Sequence, residues 1–200
     1  MFKFLQQKPI ILASSSTIRY KLLKSLGLDF LVIPSQCNEE EIKTAHNSEE
    51  LIELGITLAK VKALDVSLRY PEHYIIAADQ LCIAGSKVFN KPLNHQTAIE
   101  HLRELSGKQH QQIACLCIVK ESKILWQHHD IATLTLHHLR EETIEAYLQA
   151  DKPYHSCGAY QYEALGKWLF KEVQGNEDTI LGLPLMPLVN ALVNLNAVCI

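Results

Sequence analysis

"IILASSSTIRYKLLKSLG", from Ile10 to Gly27, changes character twice along its length. Ile10 to Ala13 is an unbroken apolar run, short enough for a strand buried on both faces. Ser14, Ser15, Ser16 and Thr17 follow as a hydroxyl-rich turn. Ile18, Leu22 and Leu26 then recur at helical spacing until Gly27 supplies a left-handed stop. A strand, a polar turn and a helix start leave unpaired backbone N–H groups and the positive end of the helix dipole at the turn, which suits phosphate. Arg19 falls in the first helical turn, where the dipole disfavours a cation, and a bound anion would account for it. Strand followed by helix is the grammar of an α/β protein.

The same grammar continues downstream. Asn47 with Glu50 three positions later fits a capping box, and Leu51, Leu54, Leu58, Val61, Leu64 and Leu68 trace a helical stripe up to Tyr70-Pro71. Lys62 borders that stripe, where its stem can lie on apolar neighbours and its ammonium extend either into solvent or into a cleft. Tyr74 to Ala77 reads as a buried strand, and Asp79 is expected at its C-terminal end, where open α/β sheets gather ligand groups. Asn94 opens and Gly107 closes a helix carrying Ile99, Leu102 and Leu105. Strands are expected at Ile113 to Val119, Ile124 to Trp126 and Ile131 to Leu136, and a helix from Glu141 to Leu148. Gly182-Leu183-Pro184 opens a last helix through Leu195, with proline near its start.

Composition excludes several classes. At 200 residues and 48% hydrophobic content, the chain can bury one sizeable core. Residues 1–200 are expected to form a single α/β domain with room for two lobes. A net charge of -3 argues against disorder and against a nucleic-acid or anionic-membrane partner. Lys8 and Pro9 interrupt the opening, no export signal is evident, and no run approaches the roughly 20 apolar residues of a spanning helix. A cytoplasmic location is expected. The six cysteines include no CxxC pair and read as buried thiols in a reducing compartment. The ten histidines include adjacent pairs, His128/His129 and His137/His138, but no HExxH, so surface or strand-edge histidines are expected.

The charged candidates are few: Arg19 after the serines, Glu39 in "PSQCNEEE", Lys62, Asp79, Lys91 in "NKP", and Glu163. Carboxylates suit a hard divalent cation that also binds phosphate, and Lys or Arg neutralises charge on a departing phosphate. No GxxxxGK[ST] and no GxSxG is present, which excludes a Walker-type kinase or ATPase and an elbow-type serine hydrolase.

These residues carry a resemblance. "ILASSSTIRYKLLKSLGLDF" resembles the opening of the Maf family of nucleotide pyrophosphatases, whose consensus is LASxSPRRxxLL. "LAKVKA", "AADQ", "NKPL", "LSGK" and "GLPL" follow in the family's order, so the resemblance extends from about Ile10 to Leu192. It implies an elongated two-lobed α/β domain like that of inosine triphosphate pyrophosphatase, with a central twisted mixed sheet, a deep cleft and a homodimeric state. The implied reaction is hydrolysis of a nucleoside triphosphate to the monophosphate and pyrophosphate, with Mg²⁺ or Mn²⁺. Position by position, it makes Asp79 the catalytic base and a metal-linked carboxylate, and Glu39 a second metal ligand, with Asn38 where the motif has Asp. It makes Ser14, Arg19, Lys62 and Lys91 phosphate partners. The motif departs from the family in Ser16-Thr17-Ile18-Arg19, in Tyr20, and in "HSCGAYQYEALG", which has no lysine.

Three positions point to a branch. Pyrimidine-directed members carry Arg, Thr and Gln where this chain has Ile18, Gln80 and Glu163, whereas "AADQLC" and "PYHSCGAYQYEALG" are similar to the 7-methyl-GTP-directed members. A guanine edge presents two N–H donors that a carboxylate such as Glu163 accepts, and methylation at N7 adds a positive charge. Hydrolysis of 7-methyl-GTP is therefore expected. A dTTP/UTP or damaged-nucleotide substrate is the alternative within the enzyme class, and a non-catalytic nucleotide sensor acting in cell division is the alternative outside it.

Overall fold

The computed structural model describes residues 5–45 and 51–200. Along the chain come β1 (Leu5–Gln6), β2 (Ile10–Leu12), α1 (Thr17–Ser25), β3 (Phe30–Val32), α2 (Glu39–Ala45) and α3 (Leu51–Arg69). Then follow β4 (Tyr74–Ala84), β5 (Lys87–Val88), α4 (His95–Leu105), β6 (Gln109–Lys120), β7 (Lys123–Leu136) and α5 (Glu141–Asp151). A 3-10 turn (Leu165–Leu169), β8 (Phe170–Gln174), α6 (Glu177–Ile180), α7 (Leu185–Asn194) and β9 (Val198–Cys199) complete it. Seven strands form one mixed sheet in the order β3-β2-β4-β6-β7-β8, with β5 on β4, and β1 pairs separately with β9. β2 lies parallel to both β3 and β4, the pairing that helical crossovers impose. Among the described residues no helix is long and apolar enough to cross a membrane.

Contacts divide the chain into two compact units. The first holds the residues through Asp79, Ala114–Asp130 and Gly182–Ile200, and the second Gln80–Ile113 and Ile131–Leu181. In the first, Ile10, Leu12, Leu23, Ile76, Leu116 and Leu188 share one apolar cluster. In the second, Phe89, Leu102, Leu105, Ile144, Leu148 and Leu169 form another.

Several expectations hold. Asn94 caps α4 by accepting the Thr97 N–H at 2.9 Å, and Gly107 follows that helix at φ +70°. Pro184 stands at the N-terminal cap of α7. The Asn47/Glu50 capping box lies outside the described residues.

Other expectations are corrected. β4 does not end at Asp79 but runs on to Ala84, because both polar residues in it find partners. The two strands expected at 124–126 and 131–136 are one 14-residue β7, in which exposed and half-buried residues alternate through Gln127, His128, His129 and Asp130. The leucine stripe of α3 steps by less than about 3.6 residues and so precesses around the helix. Leu54 and Leu58 are buried, but Leu68 is 74% exposed. The buried face instead follows Gly55, Ala59, Ala63 and Ser67, at spacing i+4. Their small side chains let the helix pack closely on Ile11, Ala13, Ile75 and Ala77.

Candidate functional site

Asp79 lies inside β4 and is 8% exposed. An unpaired carboxylate in that position would be costly, and the sequence supplies a cation from α3. Lys62 Nζ donates to Asp79 Oδ1 at 2.6 Å and reaches Glu39 Oε1 at 3.0 Å. The Lys62 and Asp79 side chains are each 11% exposed, while Glu39 is 43% exposed. Glu39 begins α2, followed by Glu40 and Glu41, an acidic first turn that the helix dipole favours. One ammonium thus bridges two carboxylates from separate elements, all in the first unit.

Arg19 does not need an anion to explain its place. Its Nε donates to the Gly182 carbonyl at 2.9 Å and its Nη1 to the Ala78 carbonyl at 2.8 Å. The guanidinium therefore fixes the backbone immediately before Asp79. Ser14 is buried in the turn after β2 and its Oγ accepts the Ser16 N–H at 3.2 Å. Ser16 caps α1 by accepting the Arg19 N–H. Ile18 is half-buried in the same first turn.

Lys43 was not legible as part of this cluster. It follows Glu39 at i+4 on α2, a spacing that places two side chains on one helical face, and pairs with Glu40 Oε1 at 3.0 Å. Burial would lower its pKa, but hydrogen bonding to Glu40 and the charges of Glu40, Glu39 and Asp79 outweigh it and raise the value.

The other three candidates belong to the second unit. Gln80 donates through Nε2 to the Ile180 carbonyl at 2.5 Å, with Thr179 O at 3.5 Å, and its backbone carbonyl accepts from Cys157 Sγ at 3.9 Å. Lys91 is exposed in the turn between β5 and α4, and Glu163 is exposed in the turn before the 3-10 segment. Among the described residues these three make no hydrogen bond or ion pair with one another. Surface hollows of about 350 Å³ beside Arg103 and Glu141 and about 430 Å³ beside His137 and Lys171 lie in the second unit, and neither of these is lined by a candidate residue.

No group of three or more His, Cys, Asp or Glu is gathered among the described residues. Glu39 and Asp79 are the two carboxylates that share the Lys62 ammonium. A magnesium-like ion commonly takes one or two carboxylates and completes its shell with water and substrate phosphate, so this pair fits one.

A buried polar network lies in the second unit. Tyr160 OH lies 2.8 Å from His110 Nε2 and accepts from Gln112 Nε2 at 2.7 Å. His110 is 2% exposed, an exception to the expectation of surface or strand-edge histidines, which His128, His129, His137 and His138 meet. Burial lowers its pKa from 6.5 to about 4. The unfolded chain therefore takes up the extra proton first, so this contribution to stability is complete above pH 6.5 and declines as pH falls toward 4. Thermal melts from pH 7 to pH 4 are expected to show a falling midpoint, and His110→Asn to flatten that slope whatever its absolute stability. An unchanged slope would remove His110 as the cause.

Comparison with known proteins extends the geometry. The family model described as "Maf-like protein" matches residues 9–195. A protein of Legionella pneumophila (strain Corby) named "Nucleoside triphosphate pyrophosphatase" is 86% identical over 198 residues, covering 99% of each chain. One of the same name from Nitrobacter hamburgensis is 44% identical, covering 92% of each. A solved HAM1 protein from Coxiella burnetii is 16% identical over 66% of this chain and 75% of its own, with a TM-score of 0.38, a likeness too slight to carry site residues across. The family match and the curated relatives agree over almost the full length, and the chain belongs to the Maf-like protein family.

Proposed function

We propose that this protein is a nucleoside triphosphate pyrophosphatase whose preferred substrate is 7-methyl-GTP, cleaved to 7-methyl-GMP and pyrophosphate. The observation that carries the hydrolytic reading is the Asp79–Lys62–Glu39 cluster. Asp79 accepts the proton of a water attacking the α-phosphorus, and Lys62, already beside it, neutralises charge on the departing pyrophosphate. Lys91 and Ser14 serve the phosphates as further donors, and Arg19, held on the Ala78 carbonyl, fixes the strand that presents Asp79 while adding positive charge. Glu39 and Asp79 would hold a divalent cation such as Mg²⁺ or Mn²⁺, which when bound polarises phosphate oxygens. The names of the curated relatives support this reaction class.

The substrate reading rests on complementarity. The donor half of the Gln80 amide is committed to Ile180 O, so its acceptor oxygen is the half offered to a base. Guanine offers N1–H and an exocyclic amine to acceptors, and Glu163 supplies two more acceptor oxygens with a charge that suits a methylated, cationic ring. Ile18 adds an apolar contact where an arginine would repel that ring.

Product analysis on 7-methyl-GTP, GTP, dTTP and UTP tests both levels. Release of pyrophosphate with the highest kcat/KM on 7-methyl-GTP is expected. Gln80→Thr combined with Glu163→Gln should lower the preference over UTP by about 10- to 100-fold, the worth of a hydrogen bond to a charged group. An unchanged preference would remove both residues from base recognition, and tight binding without pyrophosphate release would make the protein a nucleotide sensor.

A further inference from the structure

The turn that carries Lys91 is held more firmly than a surface loop requires. Before it, Phe89 is 1% exposed and its N–H donates to the Cys82 carbonyl at 2.8 Å. Pro92 is buried within it, and Asn94 ends it by capping α4. Between these anchors Leu93 adopts φ +61° with 67% of its surface exposed. A left-handed conformation is unfavourable for a residue with a Cβ, and burial of this side chain does not offset it. Strain of this kind persists where the surroundings over-determine it, and such places are commonly functional.

What over-determines it is a chain of three polar side chains from α4, α5 and the segment after α5. The Leu93 N–H donates to the Tyr154 carbonyl at 2.9 Å. The Tyr154 hydroxyl lies 3.0 Å from His95 Nδ1, and His95 Nε2 lies 2.9 Å from Glu145 Oε2. The His95 and Tyr154 rings also meet edge-on at 6.1 Å between centroids. Glu145 is kept in place through its other oxygen, which accepts from Gln149 Nε2 at 2.7 Å. An ionised carboxylate only accepts, so His95 Nε2 carries the proton; in the neutral ring Nδ1 then accepts from the Tyr154 hydroxyl. His95 is also the first residue of α4, so the same contact ties the far end of the turn to the residue that holds Leu93.

We propose that Glu145, His95 and Tyr154 form a relay that holds the strained Leu93 turn and so fixes Lys91 for a substrate phosphate, with His95 as the positioning residue. This rests on the reading of Lys91 as a phosphate ligand. A point charge on a flexible four-carbon stem gains most from a fixed root, because misplacement by about 1 Å can cost catalysis of order 100-fold.

The test is a double-mutant cycle on the full chain with a nucleoside triphosphate, measuring KM, kcat and inhibition by pyrophosphate. Lys91→Ala is expected to lower kcat/KM and weaken pyrophosphate inhibition. His95→Ala and Tyr154→Phe are expected to do the same to a smaller extent, about 10-fold, and to add nothing in the Lys91→Ala background, since residues acting through one another are not additive. Amide exchange at Leu93 should quicken in both. If Lys91→Ala is impaired while His95→Ala and Tyr154→Phe are fully active, the relay does not position the lysine. Additive losses overturn the proposal as well, because they place the effect elsewhere. Should Lys91→Ala itself be fully active, the phosphate reading of Lys91 fails, and this inference with it. If His95→Ala does not fold, Tyr154→Phe, which removes a single oxygen, carries the cycle alone.

Discussion

Asp79→Asn is expected to lower turnover of a nucleoside triphosphate by about 10²- to 10⁴-fold, the range that a positioned general base supplies, while the protein stays folded. Asparagine preserves the shape of the side chain within β4 and removes only its charge and proton affinity. Lys62 keeps its second partner, because Glu39 lies 3.0 Å from the same ammonium. The usual penalty for stranding one member of a buried pair, about 3–5 kcal/mol, is therefore relieved by the carboxylate that remains. Lys62→Met has a different signature. It leaves two carboxylates without the cation that bridges them, one of them only 11% exposed, so it should destabilise more than Asp79→Asn and also lose activity. Steady-state pyrophosphate release and thermal melts on the two variants separate the roles. Full activity in Asp79→Asn would remove Asp79 as the base.

Local features were legible because neighbours in sequence decide them. The run from Ile10 to Gly27 forms β2, a hydroxyl turn and α1 as its pattern requires, with Ser16 as the cap. Asp79 and Gln80 looked like the end of a strand because their partners are remote: Lys62 is 17 positions away and Ile180 is 100. Without those partners the polar pair would break the run; with them the strand continues. Arg19 stands against the helix dipole. Its acceptors are backbone carbonyls of Ala78 and Gly182, and any residue type can supply a carbonyl, so composition gave no sign of them. Glu39, Lys62 and Asp79 were legible as candidates by residue type and motif order, and the structure brings them into contact. Lys43 had one available signal, its i+4 spacing from Glu39, and no apolar stripe on α2 to orient it. The face of α3 was misjudged because leucine marks hydrophobicity, whereas close packing on a sheet selects small residues such as Ala59 and Ala63.

Gly158→Ala should destabilise the second unit by about 2–5 kcal/mol, combining a left-handed backbone cost of about 1–2 with overpacking of about 1–3. Gly158 holds φ +78°, and a Cβ there would stand 2.8 Å from Cys82 Sγ and 2.9 Å from Tyr160 Cε1. Neither neighbour can withdraw easily. Cys82 is fully buried, and the Tyr160 hydroxyl is held by His110 and Gln112. Gly85 provides the control, since it also has positive φ, +60°, but a Cβ there would meet nothing within 4 Å. Gly85→Ala should therefore show the backbone cost alone, and the difference between the two variants reports the packing. Adding Cys82→Ala to Gly158→Ala should recover part of that difference and none of the backbone cost. Denaturant midpoints at constant slope measure all three variants. Equal losses at the two glycines would show that the Cys82 and Tyr160 contacts yield without cost, and the turn would then be set by backbone conformation alone.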